Sequence, residues 1–237
     1  MDTGQFFALR RLIGRMLLEP LGLTKILPGV PALPCPRKLT MSSLQIVHYP
    51  HPALSWKSKD VTKIDAQLKQ WVAEMFELMY AAKGIGLAAN QVALPYRLFV
   101  INPTGDHEQP EHEQVFINPE IIRRNGSEEG EEGCLSLPEV YGPVTRAEKI
   151  VVEAFDLDGQ QLTLELDGIH ARVVQHENDH LDGVMFTERV SPETLAELSP
   201  LIDDFVSQFQ RAQEEGSFGS IETIKSELQS LEDARTG

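Results

Sequence analysis

The stretch VVQHENDHLDG, residues 173–183, limits the possible folds of this chain more than any other. His176 and His180 are four residues apart, with Glu177 directly after the first. Side chains at i and i+4 share a face of an α-helix, where they lie about one turn apart. The spacing therefore predicts a helix over 168–181. Its two imidazoles can reach one metal ion, and Glu177, one residue round, leans towards the same ion. This is the H-E-x-x-H pattern: two ligands and a general base beside a metal-bound water. Ile169 and Val173 precede His176 on that face and would wall the site with hydrocarbon. The alternative is a helix with surface histidines, because so short a motif also arises by chance.

Two histidines do not complete a mononuclear catalytic site, which takes three protein ligands and leaves a position for water. Downstream, the position where metzincin proteases carry a third histidine is Phe186, which cannot ligate. Glu188, Glu193 and Glu197 lack the surrounding motif of a gluzincin protease. Upstream, EEGCLSLP (131–138) offers Cys134 in a segment rich in turn formers. A thiolate with two imidazoles suits zinc or ferrous iron. Taken alone, Cys134 reads rather as a small buried hydrophobe, the commonest fate of a free cysteine.

A third stretch, GIGLAANQ (84–91), follows a long amphipathic pattern. G-I-G-L-A-A-x-Q, E-G-C-L-S and Q-H-E-x-D-H-L, in that order, together resemble the three signature motifs of peptide deformylase, over about residues 41–205. The resemblance implies a metallohydrolase that removes the formyl group from the N-terminal formylmethionine of new polypeptides, releasing formate. It implies antiparallel strands packed around the helix bearing H-E-x-x-H. Cys134, His176 and His180 would hold one divalent ion, Fe2+ by family, with Zn2+, Ni2+ or Co2+ as substitutes. Glu177 would act as general base and then general acid on attack by metal-bound water. Gln91 and the backbone N–H of Leu135 would line the oxyanion site. Gly84, Ile85 and Gly86, with Gly133 opposite, would meet the substrate backbone as an added strand. Ile85, Ile169 and Val173 read either as walls of the methionine pocket or as plain core. Asp179, Arg146 and Glu132 read either as supports for the ligands or as a structural ion pair. Tyr141 reads as pocket rim or plain surface. His107 and His112 read as solvated, and His48 and His51 receive no role. Rival functions are an H-E-x-x-H protease and a non-catalytic peptide-binding relic.

The rest of the chain frames these motifs. With 237 residues, 41% of them hydrophobic, the chain can bury one sizeable core. Two cysteines are too few for a disulfide framework and suggest a reducing compartment. A net charge of −15 argues against a nucleic-acid surface. Charge and proline divide the chain. In residues 1–40, Arg10, Arg11, Arg15, Lys25, Arg37 and Lys38 outnumber Asp2 and Glu19, and four prolines crowd PGVPALPCPRK. That head reads as a mis-set start, a targeting segment or an interfacial helix. A catalytic domain is expected over 41–205 and a charged helical tail over 206–237. The expected class is α+β, with mixed, mostly antiparallel sheets around a central helix. Strands are expected in LQIVHYP, YRLFVI, VFINPEII and in the hairpin KIVVEAFD–QLTLELD across Asp158-Gly159. A helix from Thr62/Asp65 to Gly84 and two helices after Ser191 complete the expectation. Nascent formylmethionyl chains, and with them proximity to the ribosome, are the implied partners. No membrane span is expected, and the place of action is the cytoplasm, or an organelle if residues 1–40 are a targeting segment.

Overall fold

The computed structural model describes residues 44–236; the readings of residues 1–40 lie outside them. Helix α1, Ala66–Ala81, starts where the Asp65 carboxylate accepts the Leu68 N–H at 2.9 Å. Thr62 lies before the helix, and its hydroxyl donates to the Arg235 carbonyl at 2.5 Å. Leu68, Val72, Met75, Phe76 and Met79 recur at helical spacing, and all are buried. The expected stop at Gly84 is displaced. The left-handed residue is Lys83 (φ 58°), and the Gly84 N–H closes the end on the Met79 carbonyl at 2.8 Å.

Five antiparallel strands form one sheet, in the order β1 (Gly86–Ala88), β2 (Leu98–Ile101), β3 (Gln114–Asn125), β6 (Lys149–Phe155) and β7 (Gln161–Asp167). Helix α2, Gly168–Leu181, covers one face and α1 the other. This sandwiching explains why β2 reads LFVI without alternation. Leu98 and Val100 join the α1 core, whereas Phe99 and Ile101 face α2, and all four are fully buried. Phe99 stacks on Phe116 with ring centroids 4.8 Å apart. From α2, Ala171, Val174 and Leu181 are buried against this sheet. Burying a Val or Leu side chain stabilises by roughly 1.5–3 kcal/mol. That anchoring fixes where the histidine-bearing face of α2 can point.

A second sheet is the hairpin of β4 (Glu128–Cys134) and β5 (Leu137–Arg146). EEGCLSLP, expected as a turn-rich segment, lies within this hairpin, and its Glu and Gly residues are poor strand formers by themselves. The hairpin forms because β5 alternates: Leu137, Val140, Val144 and Arg146 point inwards while Glu139, Tyr141, Pro143 and Thr145 face solvent. In the opposite direction, the strand expected in LQIVHYP does not form. The backbone of residues 44–50 meets different partners at single points, Val47 N–H with the Gln91 carbonyl and Tyr49 N–H with the Ser136 carbonyl, so no ladder builds.

Helix α3, Pro192–Glu214, is capped by the Ser191 hydroxyl, which accepts the Thr194 N–H. The boundary drawn at residue 205 falls within this helix. Helix α4, Ile221–Thr236, returns to the body of the domain. Phe209, Ile224 and Leu228 pack with Ala53, the Trp56 indole donates to Glu232 at 3.0 Å, and the Tyr96 hydroxyl donates to the Leu231 carbonyl. Arg235 pairs with Asp65 and lies over the Trp71 ring, 4.8 Å from its centroid. Among the described residues, no helix is long and apolar enough to cross a membrane.

Candidate metal centre

Cys134 ends β4, where the hairpin turns through Leu135 and Ser136 into β5. His176 and His180 present adjacent rungs of α2 to it. The His180 Nε2 is 3.3 Å from the Cys134 Sγ, the two rings lie 5.0 Å apart at 83°, and the ligand atoms of all three residues fall within 4.8 Å of one another. One strand end and one helix face thus bring a sulfur and two ring nitrogens together, as the motif spacing requires.

The shell around them sets their chemistry. Glu132, two residues before Cys134 and on the same face of β4, lies 3.0 Å from the His176 Nδ1 and accepts from it, which leaves the other ring nitrogen for the ligand cluster. Both Glu132 oxygens are held by Arg146, at 2.9 Å each, and Arg172 adds a contact at 2.8 Å. Arg146 also pairs with Asp179, whose other bonds go to Arg189 at 2.8 and 3.1 Å. Burial alone would raise the Glu132 pKa, but His176 and Arg146 outweigh it and hold the carboxylate at about 2. Burial likewise works against a charged His176. Cys134 and Glu132 override it and lift the imidazole to about 10. The negative environment that retains a proton there would equally retain a cation. His180 is lowered well below its usual value, first by burial and then by His176, which keeps it as the neutral ligand form.

Glu177 points into the same space. Its Oε2 is buried without a hydrogen-bond partner, as is the His180 Nδ1. Burial raises its carboxyl to about 7, near the value an acid–base catalyst needs at neutral pH. Gln91 is fixed by the Ala88 N–H, which donates to its Oε1 at 2.9 Å. Its amide nitrogen points at the Cys134 Sγ (3.4 Å) and the Ser136 hydroxyl (3.2 Å). A soft thiolate, two imidazoles and a nearby unpaired carboxylate oxygen form a donor set that fits a divalent zinc- or iron-like ion.

These groups open onto a cavity of about 650 Å³. Gly84, Ile85 and Gly86 form one wall, Gly133 and Leu135 the other, and Ile169 and Val173 line it beside His176 and Glu177. Every residue expected to catalyse, to hold the metal or to meet substrate lines this cavity except His180, which is fully buried, while of the three expected supports Glu132 lines it and Arg146 and Asp179 do not. The glycines fill close quarters. A Cβ on Gly86 would come within 2.3 Å of the Glu177 Oε1, and one on Gly84 within 2.7 Å of Leu135. Two participants escaped the sequence reading. Ser136 was visible as the last residue of E-G-C-L-S, and Arg172 sits four residues before His176 on the same face of α2.

Comparison with known proteins agrees with this geometry. The family model described as polypeptide deformylase matches residues 43–196. A peptide deformylase of Rhodopirellula baltica is 44% identical over 194 residues, covering 82% of this chain and 96% of that protein. One from Chromobacterium violaceum is 50% identical over 151 residues, covering 64% of this chain and 89% of its own. Among solved structures, a Plasmodium falciparum peptide deformylase aligns with a TM-score of 0.69 at 36% identity, covering 70% of this chain and 98% of that one. The Thermotoga maritima enzyme aligns with a TM-score of 0.59 at 39% identity, covering 63% and 98%. The chain belongs to the peptide deformylase family, metal-dependent hydrolases that remove the N-formyl group from nascent peptides.

Proposed function

We propose that Cys134, His176 and His180 hold the metal of this deformylase, that the ion is Fe2+, and that Glu177 performs the proton transfers. When bound, the ion supplies Lewis-acid polarisation of the formyl carbonyl and of water. The chain's own groups do the rest. Glu177 takes a proton as water adds to the formyl carbon, then delivers it to the departing amine as the C–N bond breaks and formate leaves. The Gln91 amide and the Leu135 N–H donate to the oxygen that gains charge at that carbon. Removing one such donor typically slows a reaction by about 100- to 1000-fold. Ile85 and Gly86 on one wall and Gly133 on the other take the peptide as an added strand, with Gly84 giving room at the entrance. Ile169 and Val173 face the methionine side chain.

The observation that carries this reading is the Glu177 carboxylate, buried beside two imidazoles and a thiol with one oxygen unpaired and a pKa of about 7. We also assign residues 41–205 as the catalytic unit with 206–237 as its helical extension, and place the reaction in the cytoplasm close to the ribosome that supplies its substrate. The test is an anaerobic assay of formate release from formyl-Met-Ala-Ser, with metal analysis of the same sample. Formate released in proportion to bound iron supports the assignment. Internal cleavage of unformylated peptides would favour an H-E-x-x-H protease instead.

A further inference from the structure

Asn102 follows β2 immediately, is 0% exposed, and has no part in the chemistry described above. A buried amide is costly unless its donors and acceptors are paired, and here its partners are one loop and the end of α1. Its Nδ2 lies 2.8 Å from the Tyr80 hydroxyl and 3.2 Å from the carbonyls of Asp106 and Gln109. Its Oδ1 accepts the Thr104 N–H at 3.1 Å and the Thr104 hydroxyl at 2.6 Å. The backbone of the same residue faces the cavity wall. Its N–H donates to the Ile85 carbonyl at 2.9 Å, and its carbonyl accepts the Gly105 N–H at 2.9 Å. Gly105, at φ +67°, lies so close to Ile85 that a Cβ there would be 3.3 Å from the Ile85 Cγ2. Tyr80 belongs to the last turns of α1 and donates onward to Glu113 at 3.0 Å. One side chain therefore ties together the end of α1, the loop 102–113 and the residue at which the substrate-facing wall begins.

We propose that Asn102 is a positioning residue for peptide recognition: it holds Ile85 and Gly86 at the spacing that lets a formyl peptide lie beside them as an added strand. The proposal rests on the reading that this edge pairs with substrate. β1 is only three residues long, and its register with β2 begins at Gly86↔Ile101, directly beside the Asn102–Ile85 hydrogen bond. So short a strand has little ladder of its own to fix its edge, and the loop gathered by Asn102 backs it from the side away from the cavity. The hydrogen bonds of the Asn102 side chain reach no group that handles the proton or the metal, and only Gly86, at the far end of what they position, lies against Glu177, so their loss should act first on binding of the peptide backbone rather than on the chemical step.

The experiment compares metal-loaded enzyme and its variants on two substrates, formyl-Met-Ala-Ser and N-formylmethionine, the second having no backbone beyond its first residue to pair. Asn102→Ala should raise KM for the tripeptide by about 10- to 100-fold, with kcat and metal content within about threefold of the parent and N-formylmethionine turnover almost unchanged. Asn102→Asp, which keeps the acceptors and loses the donors, should show the same split at smaller size. Tyr80→Phe, which removes one acceptor of the amide, is the variant to use should Asn102→Ala not fold. Equal losses on both substrates, a fall in kcat rather than a rise in KM, or no change in any variant would overturn the proposal. Parent enzyme that releases no formate would instead overturn the assignment of the site, and parent enzyme that treats both substrates alike would overturn the added-strand reading.

Discussion

Gly86→Ala separates the fold of this protein from its chemistry. The new Cβ would stand 2.3 Å from the Glu177 Oε1, 2.9 Å from its Cδ and 3.0 Å from its Cγ. Ordinary van der Waals contact needs about 1 Å more at the oxygen. The obstacle is the far end of a flexible side chain, so the fold can relieve the clash by turning the carboxylate aside. Stability should therefore change little. The carboxylate, however, leaves the position in which it stands beside the imidazoles and from which it would serve both the attacking water and the leaving amine. General acid–base catalysis contributes about 100- to 10,000-fold, and a misplacement of about 1 Å can cost 100-fold. We expect kcat to fall by about 100- to 1000-fold, equivalent to about 3–4 kcal/mol of barrier. Metal content and melting temperature should stay near those of the parent. The assay is coupled formate detection on formyl-Met-Ala-Ser with elemental analysis of the same preparation. Activity within threefold of the parent would refute the reasoning, because it would show that the buried carboxylate does not need its observed position; loss of the metal would refute it differently, by showing that the clash reaches the ligands.

Glu177→Gln should retain the metal and lose deformylation by several orders of magnitude, since one group both accepts and returns the proton; an active variant would remove Glu177 from the mechanism. Cys134→Ser should weaken metal retention or alter metal preference, read by metal content after dialysis against a chelator, and unchanged content with an unchanged rate would mean that the sulfur is not a ligand. His51 provides a pH test away from the site. Burial against Phe209 and Phe218 lowers its pKa from 6.5 to about 4. The unfolded chain therefore binds a proton between about pH 6.5 and 4 that the folded chain refuses, and stability falls on acidification through that window by about 2–3 kcal/mol after allowance for solvent screening. Urea titrations at several pH values should show His51→Gln losing less stability over this window than the parent, and parallel profiles would contradict the assignment.

What could be read from the sequence was whatever a local period encodes. His176, Glu177 and His180 declare a helix because no other backbone brings their side chains together, and the apolar repeat from Leu68 to Met79 does the same for α1. The β4–β5 hairpin was hidden because its register depends on partners such as Glu132↔Gly142 and Gly133↔Tyr141, while EEGEEGC by itself has no strand signature. Leu44 to Pro50 misled in the other direction: alternation suggested a strand, but a strand needs a continuous partner, and the backbone of this segment meets Gln91 through Val47 and Ser136 through Tyr49 rather than one neighbouring strand. Glu132 was legible as a support for the ligands or as one side of an ion pair, and the sequence could not say which ring it meets, since its contact with His176 exists only once β4 lies beside α2. The role of Asn102 was equally invisible, because its polar partners are scattered from Tyr80 to Gln109.

The docking of α4 carries a consequence for the order in which this molecule is completed. The bonds from Trp56 to Glu232 and from Tyr96 to Leu231 close loops of 176 and 135 residues. Chain closures of that length are slow and follow local ones. During synthesis, the cysteine, both histidines and the glutamate emerge before α4 exists, so the pocket can take shape while Trp56, Trp71 and Tyr96 still lack the helix that covers them. The catalytic centre would then mature first and the far side of the domain seal last, leaving those aromatic rings as the surface most in need of protection in a half-made chain.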